Sequence, residues 1–472
     1  MIGEAELPRM IFTVSTGRCG TDFLSKILGR LDAVHSEHEP TPDFVEVMRD
    51  AQRDPNVAVE FLRERKLPAI QETRAQTYVE TSHLFGKGFF EPLFELGILP
   101  DVIFLSREQR DVAKSLLRIG TIPERTENGR KYLLSPNDPD VLPISDWEEL
   151  SDYQLCYWYT LETSRRTECY REFLRRFGKS IPRVSLDKLR TWHGFRDLAY
   201  GLSLKRPSRF SWPVWQHRLK TSTNRKAHFP NGENGLAEST IQEQEKQVEA
   251  QVEAGTKLRR TREQQSLRDV LKQRNIDFDS LPIKQATEDL RGEHATYLRD
   301  VSTPDMAVSL ELASFMLALC RVWRPQRMLD LGSGFSSYVL RKYAAEAGGG
   351  TVYSIDDDKQ WQQKTVQWLK DRGLSHDHLH EWNEFKQNVS QHGKFDLVLY
   401  DMGSMATRIA ELRFVLSKTM HENSLVILDD VHKADYEQYA RYVCRSMNLK
   451  WSDASSVSLD DINRCSAVAS HC

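Results

Sequence analysis

MIFTVSTGRCGTDFLSKIL, residues 10 to 28, decides how the first half of the chain is read. Met10 to Val14 is apolar and β-branched, as a buried strand is, while Phe23, Leu24, Ile27, Leu28 and Leu31 recur at the spacing of one helical face. Gly17 and Gly20 therefore fall in the turn that joins strand to helix. Such a turn aims the first backbone N–H groups of the helix into one concavity, where the helix dipole also favours negative charge. An anion belongs there, and Arg18 and Thr21 can add side-chain donors to it.

Outward from this stretch, residues 1–225 keep alternating short apolar runs with helical patterns. A second strand-to-helix unit stands at Asp101 to Leu117, DVIFLSREQRDVAKSLL. The alternation predicts a parallel sheet covered by helices. Residues 226–290 read as a charged, largely helical linker: HFPNGENG is a turn-rich break, and Glu238 to Arg274 is dense in Gln, Glu, Lys and Arg. Ile241, Val248 and Val252 give it only a thin apolar stripe, interrupted by Gly255, which predicts a solvated helix; a coiled-coil contact in a homodimer is the alternative. Residues 291–472 resume an α/β pattern, with strands expected at Met328 to Leu331, Thr351 to Ile355, Phe395 to Tyr400 and Ser424 to Leu428. The expected fold class is thus α/β, with two three-layer domains.

The 472 residues are ample for more than one core. With 39% hydrophobic and 28% charged residues and a net charge of −3, nothing in the balance draws the chain to nucleic acid or to a membrane. No apolar run is long enough to span a bilayer, and the N-terminus lacks a charged-then-apolar signal, so cytoplasmic residence is the expectation. Seven scattered cysteines with no C-x-x-C pair fit free thiols in a reducing compartment.

The loop Thr16-Gly17-Arg18-Cys19-Gly20-Thr21 is not the ATPase signature, which needs a longer glycine spacing and a lysine before the hydroxyl. A kinase also needs a carboxylate at a neighbouring strand end to hold magnesium, and here the strand VIFLS runs into Ser106-Arg107. A cation replaces the expected acid. That favours a donor whose transferred group carries less charge, such as a sulfuryl group on a nucleotide phosphate; a small-molecule kinase is the rival.

These residues resemble the P-loop-like sulfotransferase family, whose donor is 3′-phosphoadenosine 5′-phosphosulfate (PAPS). The resemblance covers roughly residues 8–225. Ser15 to Leu24 match the 5′-phosphosulfate loop, Asp22 standing where a second hydroxyl is common. Arg107, Asp111, Val112 and Ser115 match the 3′-phosphate motif, with Gln109 where a proline is often found. The resemblance implies that Thr16 to Asp22 hold the phosphosulfate, that Arg18 steadies the leaving group, and that Arg107 and Ser115 hold the 3′-phosphate. His217 to Lys226 resemble the late basic loop of the family, or else begin a basic linker.

Sulfuryl transfer needs a base for the acceptor hydroxyl. His38 and Glu39, in the polar segment after the first helix, and Glu80 and His83, in YVETSH, are the candidates. The acceptor would be a small molecule or a saccharide; Trp147, Tyr153, Trp158 and Tyr159 could stack on a ring, although aromatics at helical spacing are usually core.

In the second half, RMLDLGSGFSS at Arg327 to Ser337 is again a strand entering a glycine loop. Asp330, Gly332 and Gly334 resemble motif I of the class I S-adenosylmethionine methyltransferases. The next strand, TVYSID, ends at Asp356, an acid placed to accept ribose hydroxyls. A nicotinamide site would show a third glycine where Ser337 stands. Asp401, Asp429 and Asp430 lie at later strand ends and are similar to the magnesium ligands of catechol-type O-methyltransferases; helix capping or lining of the acceptor pocket is the alternative.

The sequence thus reads as a bifunctional transferase in which PAPS and S-adenosylmethionine are co-substrates and Mg2+ would serve the second domain, both halves acting on hydroxyl acceptors of one pathway. A sulfotransferase with a non-catalytic S-adenosylmethionine-binding regulatory domain is the other arrangement.

Overall fold

The computed structural model describes residues 7–205, 216 and 237–471. The basic stretch His217 to Lys226 lies outside them. The chain divides into two compact units, the first ending at Lys257 and the second beginning at Leu258.

The first unit is built on a parallel sheet of β1 (Arg9–Val14), β2 (Val34–Glu37), β3 (Thr77–Glu80), β4 (Asp101–Ser106) and β5 (Arg183–Ser185), in the order β2-β3-β1-β4-β5. A parallel sheet is covered on both faces, and β1 shows it: every residue from Met10 to Val14 is buried. Phe12 stacks on Phe85 with centroids 4.3 Å apart. Because Val14 pairs with Phe104, the loops after β1 and β4 leave the sheet side by side. That places the glycine loop and Arg107 at one crevice, the usual ligand position in an open α/β sheet.

The helix Asp152–Arg176 starts at a capping box formed by Ser151 and Gln154. Tyr153, Trp158 and Tyr159 on this helix are buried, so these aromatics are core and do not form a stacking surface for an acceptor.

The helix Glu238–Lys272 runs unbroken through Gly255. The solvated linker expected there is instead packed. Ile241 and Val248 are buried, and Glu245 accepts from Arg110 at 2.5 Å and from the Tyr153 hydroxyl at 2.6 Å. Later in the helix, Leu267, Val270 and Leu271 belong to the core of the second unit. The thin stripe misled because the helix also docks through buried or half-buried glutamates whose partners are remote in sequence.

The second unit holds β6 (Arg327–Leu331), β7 (Thr351–Asp356), β8 (Leu379–Glu381), β9 (Phe395–Tyr400), β10 (Met420–Leu428), β11 (Leu449–Asp453) and β12 (Ala467–His471). Their order is β11-β12-β10-β9-β6-β7-β8. The run from β8 to β10 is parallel, and β12 enters antiparallel to both of its neighbours. Strand order reverses at β6, between β7 and β9, which makes the C-terminal end of β6 the switch point of a doubly wound sheet. Both units are α/β, one sheet parallel and the other mixed. Among the described residues no helix is long and apolar enough to cross a membrane.

Candidate active sites

The glycine loop of the first unit is held from three sides. Gly17, Arg18 and Gly20 all have positive φ, at 78°, 57° and 89°. Two of the three are the residue that takes this conformation without strain. The Tyr159 hydroxyl donates to the Thr16 carbonyl at 2.6 Å, and Cys19, buried beneath the loop, has its sulfur 3.1 Å from the Thr16 hydroxyl. Opposite, a Cβ on Gly17 would come within 3.0 Å of the His83 ring. The loop is therefore shaped before any ligand arrives.

A cavity of about 900 Å³ opens over this loop. Thr16, Gly17, Arg18, Gly20, Thr21 and Asp22 line it, together with Arg107 and Ser115 as the sequence implied. Arg18 Nε donates to Ser115 Oγ at 3.2 Å, and Arg107 donates to the Arg18 carbonyl at 3.3 Å, tying the two motifs together. Arg118 and Arg190, which the sequence reading missed, also face the cavity, making four lining guanidiniums. Its carboxylates are already engaged: Asp22 with Lys26 at 2.6 Å and Glu39 with His83 at 2.7 Å. Burial, with Arg107 and Arg118 nearby, pushes the Arg18 pKa down. The crowded guanidiniums gain from an anion, and a polyanionic nucleotide fits them.

Among the candidate bases, His38, Glu39 and His83 line the cavity. Burial and the charge of Lys87 outweigh Glu39 and push His83 down to about 4. For Glu39, burial acts upward but His83 wins, holding the carboxyl at about 2. At neutral pH the imidazole is thus neutral beside an ionised carboxylate. Nδ1–H donates to Glu39 Oε1, leaving Nε2 able to take a proton. Glu80 is different: it is wholly buried, is not among the lining residues, and pairs with Lys66 at 2.8 Å while accepting from the Tyr78 hydroxyl. Burial raises it to about 7, yet its place is that of a structural ion pair under the sheet edge.

In the second unit Gly332 has φ 101°, and a Cβ there would meet the Asp401 carbonyl at 2.4 Å. Only glycine lets β6 turn so close to the end of β9. Asp356 Oδ2 accepts from the backbone and hydroxyl of Ser333, both at 2.8 Å, bracing the loop from the tip of β7. Asp330 is fully buried; Oδ2 accepts from Ser337 and Ser354, while Oδ1 has no hydrogen-bond partner among the described residues. Burial pushes its carboxyl up to about 6. The Tyr297 hydroxyl, also buried and unpartnered, lies 3.2 Å from where a Gly334 Cβ would sit. Asp330 and Tyr297 thus lie buried, without exposed surface, beneath and beside the glycine loop. Sequence reading found Asp330 from its motif. Tyr297 sits on the helix Ile283–Asp300, ahead of the motif, and carries no signal of its own.

Of the three acids of the metal expectation, Asp401, Asp429 and Asp430, the first and last carry basic partners. Arg408 reaches Asp401 at 2.5 Å and Asp430 at 3.0 Å, and Lys433 reaches Asp430 at 2.6 Å. Asp429 accepts from Ser466 and from the Asp430 amide, each at 2.8 Å. No group of three or more His, Cys, Asp or Glu side chains arranged to hold a metal occurs among the described residues. The three acids are adjacent as the strand ends required, and Arg408, from the helix Met405–Thr419, bridges Asp401 and Asp430.

Neither a protein-family model nor a curated protein matches this sequence. Solved structures similar to part of it include the O-methyltransferase TomG of Streptomyces achromogenes in complex with SAM, at 16% identity, 40% of this chain, 87% of that one and a TM-score of 0.30. SAH-bound PaMTH1, a methyltransferase of Podospora anserina, is 12% identical over 40% of this chain and 87% of its own, with a TM-score of 0.30. An O-methyltransferase from Bacillus cereus in complex with SAH is 12% identical over 39% of this chain and 89% of its own, also with a TM-score of 0.30.

Proposed function

We propose that the chain is a transferase with two sites, the first moving a sulfuryl group from PAPS to a hydroxyl acceptor and the second a methyl group from S-adenosylmethionine to an acceptor oxygen. The observation that carries the first assignment is the cavity over the glycine loop, with four lining arginines and no lining carboxylate left unpaired. A magnesium-dependent triphosphate site needs the opposite balance.

In the first site His83 Nε2 takes the acceptor's proton as its oxygen attacks sulfur, and Glu39 holds the imidazole in the tautomer that can do so. The bond between sulfur and the bridging phosphate oxygen breaks. Arg18 meets the charge that collects on that oxygen, while Arg107 and Ser115 keep the 3′-phosphate in register. In the second site Asp330 Oδ1 receives the donor's ammonium, the Tyr297 hydroxyl donates to its carboxylate, and Asp356 faces the ribose. The bound sulfonium would supply an activated methyl group, and as the acceptor oxygen attacks it the hydroxyl proton would pass to solvent; the residues orient the donor and admit the acceptor.

Incubating the protein with an extract and isotopically labelled forms of both donors, then following the label by mass spectrometry, tests this reading. Labelled sulfate and labelled methyl in products support two activities. Label from neither donor, or phosphate from magnesium ATP in place of sulfate, would overturn it.

A further inference from the structure

The second site departs from the metal-dependent arrangement its three strand-end carboxylates suggest, and the departure is built from side chains of this chain. Asp401 follows β9 and Asp429 and Asp430 follow β10, so the doubly wound sheet brings them together at the C-terminal edge. The helix Met405–Thr419 begins a few residues after Asp401, and Arg408 lies in its first turn. From there its guanidinium turns back: Nη2 reaches Asp401, Nη1 reaches Asp430 Oδ2, and Nε donates to the Met402 carbonyl at 3.2 Å. The backbone of the same residue is pinned, since the Tyr400 hydroxyl donates to the Arg408 carbonyl at 2.7 Å. Arg408 is buried, so this cation is fixed and poorly screened. Lys433 adds a second positive charge at Asp430, and His432 Nδ1 stands 3.6 Å from the other oxygen of Asp430.

A divalent ion in this cluster would displace a guanidinium held by three hydrogen-bonding nitrogens, and would sit against like charge. One oxygen of each carboxylate already accepts: Asp401 Oδ1 from Arg408, Asp430 Oδ2 from Arg408 and Lys433, and Asp429 Oδ1 from Ser466 and the Asp430 amide. The arrangement sets two of the protein's own cations, Arg408 and Lys433, against the three carboxylates, and so supplies from within part of the positive charge that a buried acidic cluster requires.

We propose that the second site works without a divalent cation, Arg408 standing as the internal cation that holds Asp401 and Asp430. The inference rests on the methyl-transfer reading for its functional meaning, while its physical content concerns the carboxylate cluster alone. Arg408 is on this account a positioning residue.

The test uses the full chain. Mn2+ uptake is followed by electron paramagnetic resonance, and binding of S-adenosylhomocysteine by calorimetry, with and without EDTA. The expected result is S-adenosylhomocysteine affinity unchanged within about twofold by EDTA, and no stoichiometric Mn2+ uptake. Arg408→Met, folded by circular dichroism, is expected to take up Mn2+ at least about tenfold more tightly than wild type, and the added Asp430→Asn change to abolish that gain. Stoichiometric Mn2+ on the wild type that disappears in Asp430→Asn overturns the proposal, as does a folded Arg408→Met that gains nothing. Should Arg408→Met not fold, the wild-type and Asp430→Asn titrations decide. Failure of S-adenosylhomocysteine to bind would sink the methyl-donor reading and leave the Mn2+ result to judge the cluster.

Discussion

Three side chains carry predictions of their own. Arg107 is the residue whose removal should cost the 3′-phosphate. A charge-assisted hydrogen bond is worth about 1.5–3 kcal/mol, so Arg107→Ala should weaken binding of 3′-phosphoadenosine 5′-phosphate roughly 10- to 100-fold. Adenosine 5′-monophosphate, which lacks that phosphate, should lose much less; equal losses would remove Arg107 from the site. His83→Ala should lower sulfuryl transfer to a phenol about 10²- to 10⁴-fold with nucleotide affinity unchanged, since a general base acts on the proton and not on the donor. Because His83 takes its proton only near pH 4, the wild-type rate should show no histidine-like inflection between pH 5 and 8. Asp330 supplies the opposite pH signature. Its folded carboxyl ionises near 6, above the ordinary aspartate range, and only the ionised form attracts an ammonium. S-adenosylhomocysteine affinity should therefore rise as pH rises through about 6, and Asp330→Asn should flatten the profile; a slope that survives the substitution would locate the titrating group elsewhere.

Among the elements, Gly255 and the strand ends show where sequence patterns stop being informative. Alanine in place of glycine inside a helix ordinarily gains about 0.5–1 kcal/mol. At Gly255 the added Cβ would stand 2.5 Å from the Pro143 carbonyl, a backbone atom that cannot swing away, so Gly255→Ala should lower the melting temperature. A rise would mean that the helix does not pack there. Strands β1, β4, β6, β7, β9 and β10 were legible because each is an apolar, β-branched run with buried residues along it. Strand β2, Val-His-Ser-Glu, was not: a short edge strand with no fully buried residue has no apolar signature. The pairing of Glu39 with His83 was invisible for the same reason. It follows from the β2–β3 register, in which Glu37 lies beside Glu80, so that the residues after each strand emerge together. Arg118, Arg190 and Tyr297 were missed because their partners in the site are brought to them by tertiary packing.

At the scale of the whole chain, sequence reading recovered two α/β halves and the glycine loop at the head of each, because a strand-loop-helix junction is written in contiguous residues. It read the charged helix from Glu238 as a solvated spacer, and it did not foresee Arg408 between Asp401 and Asp430. Both have one cause: the partners, Arg110 and Tyr153 for Glu245 and Arg408 for Asp401 and Asp430, are set by the fold. The central claim is that the first glycine loop is a phosphosulfate site that operates on arginines and backbone amides. Calorimetric titration of the full chain with 3′-phosphoadenosine 5′-phosphate, in EDTA and without magnesium, tests it most directly. The account predicts saturable binding at one nucleotide per chain, weakened by Arg18→Ala; no binding in EDTA, with magnesium ATP bound and hydrolysed in its place, would contradict it.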